Sequence, residues 1–162
     1  MRWFRFVVFI CLVTVLQADM VDVIAIPGLD VKPDLLLIFL VFFSVYCSRT
    51  DAVITSFMIG FAADLIGPGM GPKIISFGLF GTAVAYLNRV IAVRKMLHQS
   101  IVIFAVGLLA GALAYLLTFL KGHPTVSNIY IVIFATSLYS SLIGPFLFLP
   151  IGWWMRAKKR KV

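Results

Sequence analysis

Glutamate is absent from these 162 residues, and charged side chains of any kind make up only 12% of them. Soluble domains carry roughly 25%, so a soluble globular fold is excluded. Cysteine is scarce. Cys11 and Cys47 sit in apolar runs without C-x-x-C pairing, which argues against a disulfide or a thiolate metal centre and leaves two small apolar side chains. Histidine is limited to His98 and His123. The chain contains no H-E-x-x-H, no G-x-S-x-G and no Walker loop. Ser137, Ser140 and Ser141 have no histidine nearby and are expected to bond helix carbonyls or a neighbouring helix. No catalysis, cofactor or metal is expected.

What the chain has is apolar sequence from end to end. Hydrophobic residues make up 62%, and the mean hydropathy is +1.10. These runs predict an all-α integral membrane protein, a single polytopic domain over residues 1–162. The net charge of +8 does not indicate nucleic acid. Its basic residues flank apolar runs, as topology signals and contacts to lipid headgroups do. The start, "MRWFRFVVFICLVTVLQAD", has a basic end and an apolar middle but no small-x-small cleavage site, so a retained first span is expected.

Six spans are predicted, at about 3–17, 35–48, 52–66, 74–93, 101–120 and 128–154. Only "SRTD" interrupts the apolar sequence between Leu35 and Ile66, leaving either one overlong helix or two short ones. Charge favours two. With six spans and both termini cytoplasmic, Arg2, Arg5, Arg89, Arg94, Lys95 and the tail cluster Arg156, Lys158, Lys159, Arg160 and Lys161 all lie inside. Asp19, Asp22, Asp30 and Asp34 then lie outside. Fusing the middle pair would strand the first or the last basic cluster on the wrong face. Trp153 and Trp154 fall where the last span meets the inner headgroups, and Pro145 and Pro150 are expected to bend it. The polar segment "DMVDVIAIPGLDVKPD" is expected to lie along the outer headgroups, burying Val21, Ile24 and Ile26. Pro33 and Asp34 then open the second span.

The stretch "GFAADLIGPGMGP" places Asp64 within about a turn of the outer end of its helix, where the macrodipole is negative. A carboxylate there needs donors. The amides of Gly67, Gly69 and Gly71, with the ammonium of Lys73, are the nearest. Asp64 is therefore expected to fold back and clasp the turn between spans three and four, rather than to carry protons at the midplane. In span five, Gly107 and Gly111 form G-x-x-x-G, with Ala110 and Ala114 repeating the spacing. That face is expected to pack closely against another helix. Gly78, Gly81 and Ala85 form a looser stripe on span four.

Three stretches together resemble the rod shape-determining protein MreD family of bacteria. "KPDLLLIFLVFFSVY" is similar to its Pro-Asp-Leu-Leu opening of the second span. "SFMIGFAADLIGPGMG" is similar to its Gly-x-x-x-Asp-Leu stretch, here Gly60 to Leu65, running into a glycine turn that is richer here than the family pattern. "GPFLFLPIGWWMRAKKRK" is similar to its last span and basic tail. The resemblance implies a multi-pass, non-catalytic inner-membrane component of the elongasome. Such a protein partners MreC, works with MreB, RodA and a class B penicillin-binding protein, and guides lateral peptidoglycan synthesis. It also implies a fold similar to the substrate-binding subunits of energy-coupling-factor vitamin transporters, and so a second reading as an uptake subunit. Those subunits carry an Ala-x-x-x-Ala docking patch in the first span. Here that span reads "WFRFVVFICLVTVLQ", bulky throughout, which favours the scaffold.

Overall fold

A proline and an aspartate begin the helix around which the others assemble. Asp34 is the N-cap, with extended backbone, and its Oδ1 accepts the Leu37 N–H at 3.1 Å. It stands just before the first turn, at the opening of the helix. The helix it starts ends at Tyr46, because the next residues serve a new helix. Cys47 closes the old one by donating its N–H to Phe43 O, and the Ser48 hydroxyl accepts the Asp51 N–H at 3.3 Å. A side chain that caps a new N-terminus makes a second helix locally cheaper than continuing the first. The run from Leu35 to Ile66 is therefore two helices.

The computed structural model describes residues 3–19, 33–67, 71–87, 96–122 and 129–154. These form six helices and no strand: α1 (Trp3–Asp19), α2 (Leu35–Tyr46), α3 (Arg49–Ile66), α4 (Pro72–Leu87), α5 (Met96–Leu120) and α6 (Ile129–Trp154). The expected outer segment with Val21, Ile24 and Ile26, the residues Gly69, Arg89, Arg94, Lys95 and His123, the basic tail and the side chains of Trp153 and Trp154 lie outside the described set. α6 runs as helix through Pro145 and Pro150. Neither Cys11 nor Cys47 is in a disulfide.

Side-chain contacts fix the directions. Phe6 meets Phe43 edge-on at 4.9 Å and Phe9 meets Phe39 at 4.8 Å, so α1 runs antiparallel to α2. The Asp34 N–H reaches Ser140 Oγ and Phe42 meets Phe148, the same offset along both chains, so α2 and α6 run parallel. A Cβ on Gly60 would meet Ile74, and one on Gly81 would meet Ser56, which sets α3 against α4 head to tail. Gly107 faces Ser137 and Gly111 faces Ile133, which does the same for α5 and α6.

α2 touches each of the other five helices. Nine of its 12 residues are buried, from Leu36 to Ser44. A helix apolar on every side needs neighbours on every side, and α2 has them. Its 12 residues span about 18 Å, short of a hydrocarbon core of about 30 Å. Among the described residues, two helices are long and apolar enough to cross a membrane, Leu97–Leu120 and Ile129–Phe148, whereas α2 and α4 are apolar but shorter.

One buried side-chain atom among the described residues lacks a partner, Ser44 Oγ. A buried unpaired hydroxyl costs about 1–3 kcal/mol. Ser44→Ala is therefore expected to leave thermal stability in detergent unchanged or to raise it. A fall of several degrees in midpoint would mean that the hydroxyl has a partner.

Candidate functional site

Polar side chains gather at the two ends of the bundle. At one end the Tyr46 hydroxyl and Gln99 Nε2 lie 3.3 Å apart, and the Arg49 guanidinium sits 4.8 Å from the Tyr86 ring centroid. The other end holds Asp64 and most of the residues singled out in the sequence.

Asp64 is in the last turn of α3 and only 3% exposed. Among the described residues its carboxylate accepts three backbone N–H groups. Oδ2 takes those of Gly71 at 2.8 Å and Ile74 at 2.9 Å, and Oδ1 takes that of Lys73 at 3.0 Å. Gly71 immediately precedes α4, and its carbonyl accepts the Ile75 N–H. Lys73 and Ile74 are the second and third residues of that helix, and the first, Pro72, has no N–H to satisfy. Asp64 thus caps the next helix from outside it. The negative dipole end of α3 disfavours a carboxylate there, and the positive end of α4 offsets the penalty.

Local sequence explains how the carboxylate reaches. Gly60 lies one turn before Asp64 on the same face. A Cβ there would stand 2.8 Å from Ile74 Cα and 2.9 Å from Lys73 O, so only glycine lets the α4 backbone come so close. Gly71 has φ +117°, in the region that favours glycine. Gly67 differs from both. Its N–H goes to the backbone carbonyl of Asp64 at 3.2 Å, and a Cβ would meet only ordinary contacts at 3.5 and 3.7 Å. Lys73 contributes its backbone amide to Asp64, and no ion pair joins its ammonium to that carboxylate.

A second junction lies beside the first; Ser140 bonds a neighbouring helix there, as expected, whereas the part played by Gln17 carries no sequence signal. Gln17 of α1 donates from Nε2 to Pro33 O at 3.3 Å and accepts the Leu35 N–H on Oε1 at 2.8 Å. The Asp34 N–H between them goes to Ser140 Oγ of α6 at 2.9 Å. One polar residue from α1 and one from α6 therefore hold the entry to α2. Ser137 and Ser141 bond carbonyls of their own helix, Ile133 O and Leu138 O, each at 2.7 Å.

Between the two junctions lies a cavity of about 390 Å³. Asp34, Asp64, Gly67 and Lys73 line it, and so do Gly107, Ala110, Gly111 and Ala114. The small-residue face of α5 is close-packed at Gly107, where a Cβ would strike Ser137 and Leu37, and becomes cavity wall toward Ala114. On α4, Gly78, Gly81 and Ala85 are all buried, Gly78 against Phe57 and Gly81 against Ser56 and Leu40. No group of His, Cys, Asp or Glu able to hold a metal occurs among the described residues.

No curated protein and no solved structure matches the chain. Residues 1–158 match the family described as rod shape-determining protein MreD. With essentially the whole length covered, this chain belongs to the MreD family of membrane proteins, whose role is the determination of rod shape.

Proposed function

We propose that the protein is a non-catalytic scaffold of the elongasome, a six-span inner-membrane subunit that partners MreC and helps guide lateral peptidoglycan synthesis. MreB, RodA and a class B penicillin-binding protein belong to the same assembly in this reading. The observation that carries it is the state of Asp64. A coupling carboxylate in a carrier must present an oxygen to an ion or substrate. Here both oxygens are occupied by backbone amides that bind two helices together. The group serves as a clasp.

Six crossings with both termini inside fit the alternating helix directions and the segregation of polar contacts to the two ends. Large apolar side chains are exposed along α1 (Phe4, Val8, Leu12, Val15), α3 (Ile54, Phe57, Phe61, Leu65) and α5 (Leu109, Leu116, Phe119). Such surfaces suit lipid and not water. α2 has little lipid contact, which removes the penalty of its short length. The clasp end is then the outer end, because Asp19 and Asp34 lie there and Arg5 lies at the other.

A second reading, the substrate-binding subunit of an energy-coupling-factor vitamin transporter, is favoured by the cavity alone. Purification in mild detergent separates the two. Co-purification of MreC supports the scaffold, and a tightly bound vitamin overturns it. Depletion is expected to round a rod-shaped cell rather than to create a nutrient requirement.

A further inference from the structure

The cavity has an uncommitted anionic group at a fixed position. Of the Asp34 carboxylate oxygens, Oδ1 caps α2 through the Leu37 N–H, and Oδ2 accepts no hydrogen bond among the described residues. The backbone that carries this side chain is pinned on both sides. Gln17 holds Pro33 and Leu35, and Ser140 holds the Asp34 N–H itself. An aspartate has a short side chain, and this one is fixed at one oxygen and along its backbone. Little conformational entropy remains to be lost when a ligand meets the other oxygen. Lys73 also lines the cavity, yet no ion pair joins the two residues. Its long stem lets the ammonium turn out to headgroup level, so Lys73 is the less defined of the two charges.

We propose that this cavity binds a cationic group, an alkylammonium or a guanidinium, with Asp34 as its counter-ion. The walls suit the rest of such a group. Leu37, Phe77, Val132 and Ile133 supply apolar surface for an aliphatic stem, and Tyr115 and Thr118 add hydroxyls. Its size, about 390 Å³, falls at the small end of the roughly 300–1,000 Å³ usual for ligand sites. A side chain or a small amine fits; a folded domain does not. Two sources carry this chemistry, a free amine or guanidine and the lysine or arginine side chain of a protein partner. The inference goes beyond the scaffold reading and holds for either source.

The test uses the full chain in mild detergent with two probes of equal shape, n-butylguanidinium and neutral n-butylurea, followed by calorimetry. Wild-type protein is expected to bind the guanidinium at least tenfold more tightly than the urea. Asp34→Asn keeps a good N-cap and is expected to abolish that preference. Ala114→Phe, which fills the cavity without touching the cap, is expected to abolish binding of both probes. Equal binding of the two probes, no binding of the guanidinium, or a preference that survives Asp34→Asn each overturns the proposal. Where the preference is found, pull-down of MreC with the Asp34→Asn protein assigns the source. Loss of MreC places the cation on a protein side chain, and unchanged recovery places it on a small molecule; both results support the site.

Discussion

Asp64→Asn is expected to lower the amount of folded protein in the membrane and its thermal midpoint in detergent by a wide margin. The wild-type carboxylate takes three backbone N–H groups on two oxygens. Asparagine offers one acceptor oxygen and turns an NH2 group toward amides that are themselves donors. At least one helix N–H is then left buried without a partner, and the attraction of a negative charge for the start of α4 is lost. Hydrogen bonds to charged groups contribute about 1.5–3 kcal/mol each. They are not additive within one cluster, so a loss of roughly 3–5 kcal/mol is expected from the set. Against a usual total of about 5–15 kcal/mol, that is a large fraction. Thermal unfolding and quantitative blotting of membranes measure it. Wild-type stability and partner binding, with only a transport activity lost, would make Asp64 a carrier residue and not a clasp.

Gly60→Ala is expected to act on the same junction without removing a hydrogen-bonding group. The added methyl would stand 2.8 Å from Ile74 Cα and 2.9 Å from Lys73 O, both backbone atoms of α4 that no rotamer change can move. α4 must shift as a unit, at a typical overpacking cost of about 1–3 kcal/mol. The Lys73 and Ile74 amides shift with it, away from Asp64. Gly67→Ala is the matched control. Gly67 has φ −80°, and its new methyl would meet ordinary contacts only, so an effect near zero is expected. Thermal midpoints of the two variants, measured side by side, check the contrast. A silent Gly60→Ala beside a damaging Gly67→Ala would place the clasp in the loop instead of at the start of α4.

That contrast also shows how far local pattern reading reaches. The run "GFAADLIGPGMGP" indicated a carboxylate in need of amide donors and a glycine turn beside it. Gly67, Gly69 and Gly71 are the expected donors because they are nearest along the chain. Gly69 lies outside the described residues, and the Gly67 N–H goes to the Asp64 carbonyl. Among the described residues the carboxylate takes Gly71 and then two residues that are not glycine, Lys73 and Ile74. Donors matter here by being free, and the free amides are those at the start of a helix. Gly60 entered through the family pattern alone, and only the closeness of α4 gives it a physical reason.

The sequence by itself determined what the helices are made of and carried the signals that start several of them. Ser48 with Asp51, Pro33 with Asp34, and Pro72 act on their own neighbours within a turn or so, and signals of that range can be read without a fold. The membrane-protein composition and the resemblance of three ordered stretches to the MreD family were legible for the same reason. Only the tertiary structure decided that α2 would be the buried centre, that Gln17 and Ser140 would hold its entry, and that a cavity would open between Asp34 and Asp64. The bond from Asp34 to Ser140 joins residues 106 positions apart. A glutamine and a serine in apolar helices carry no local mark of such a pairing, because packing sets it once all six helices have chosen their neighbours.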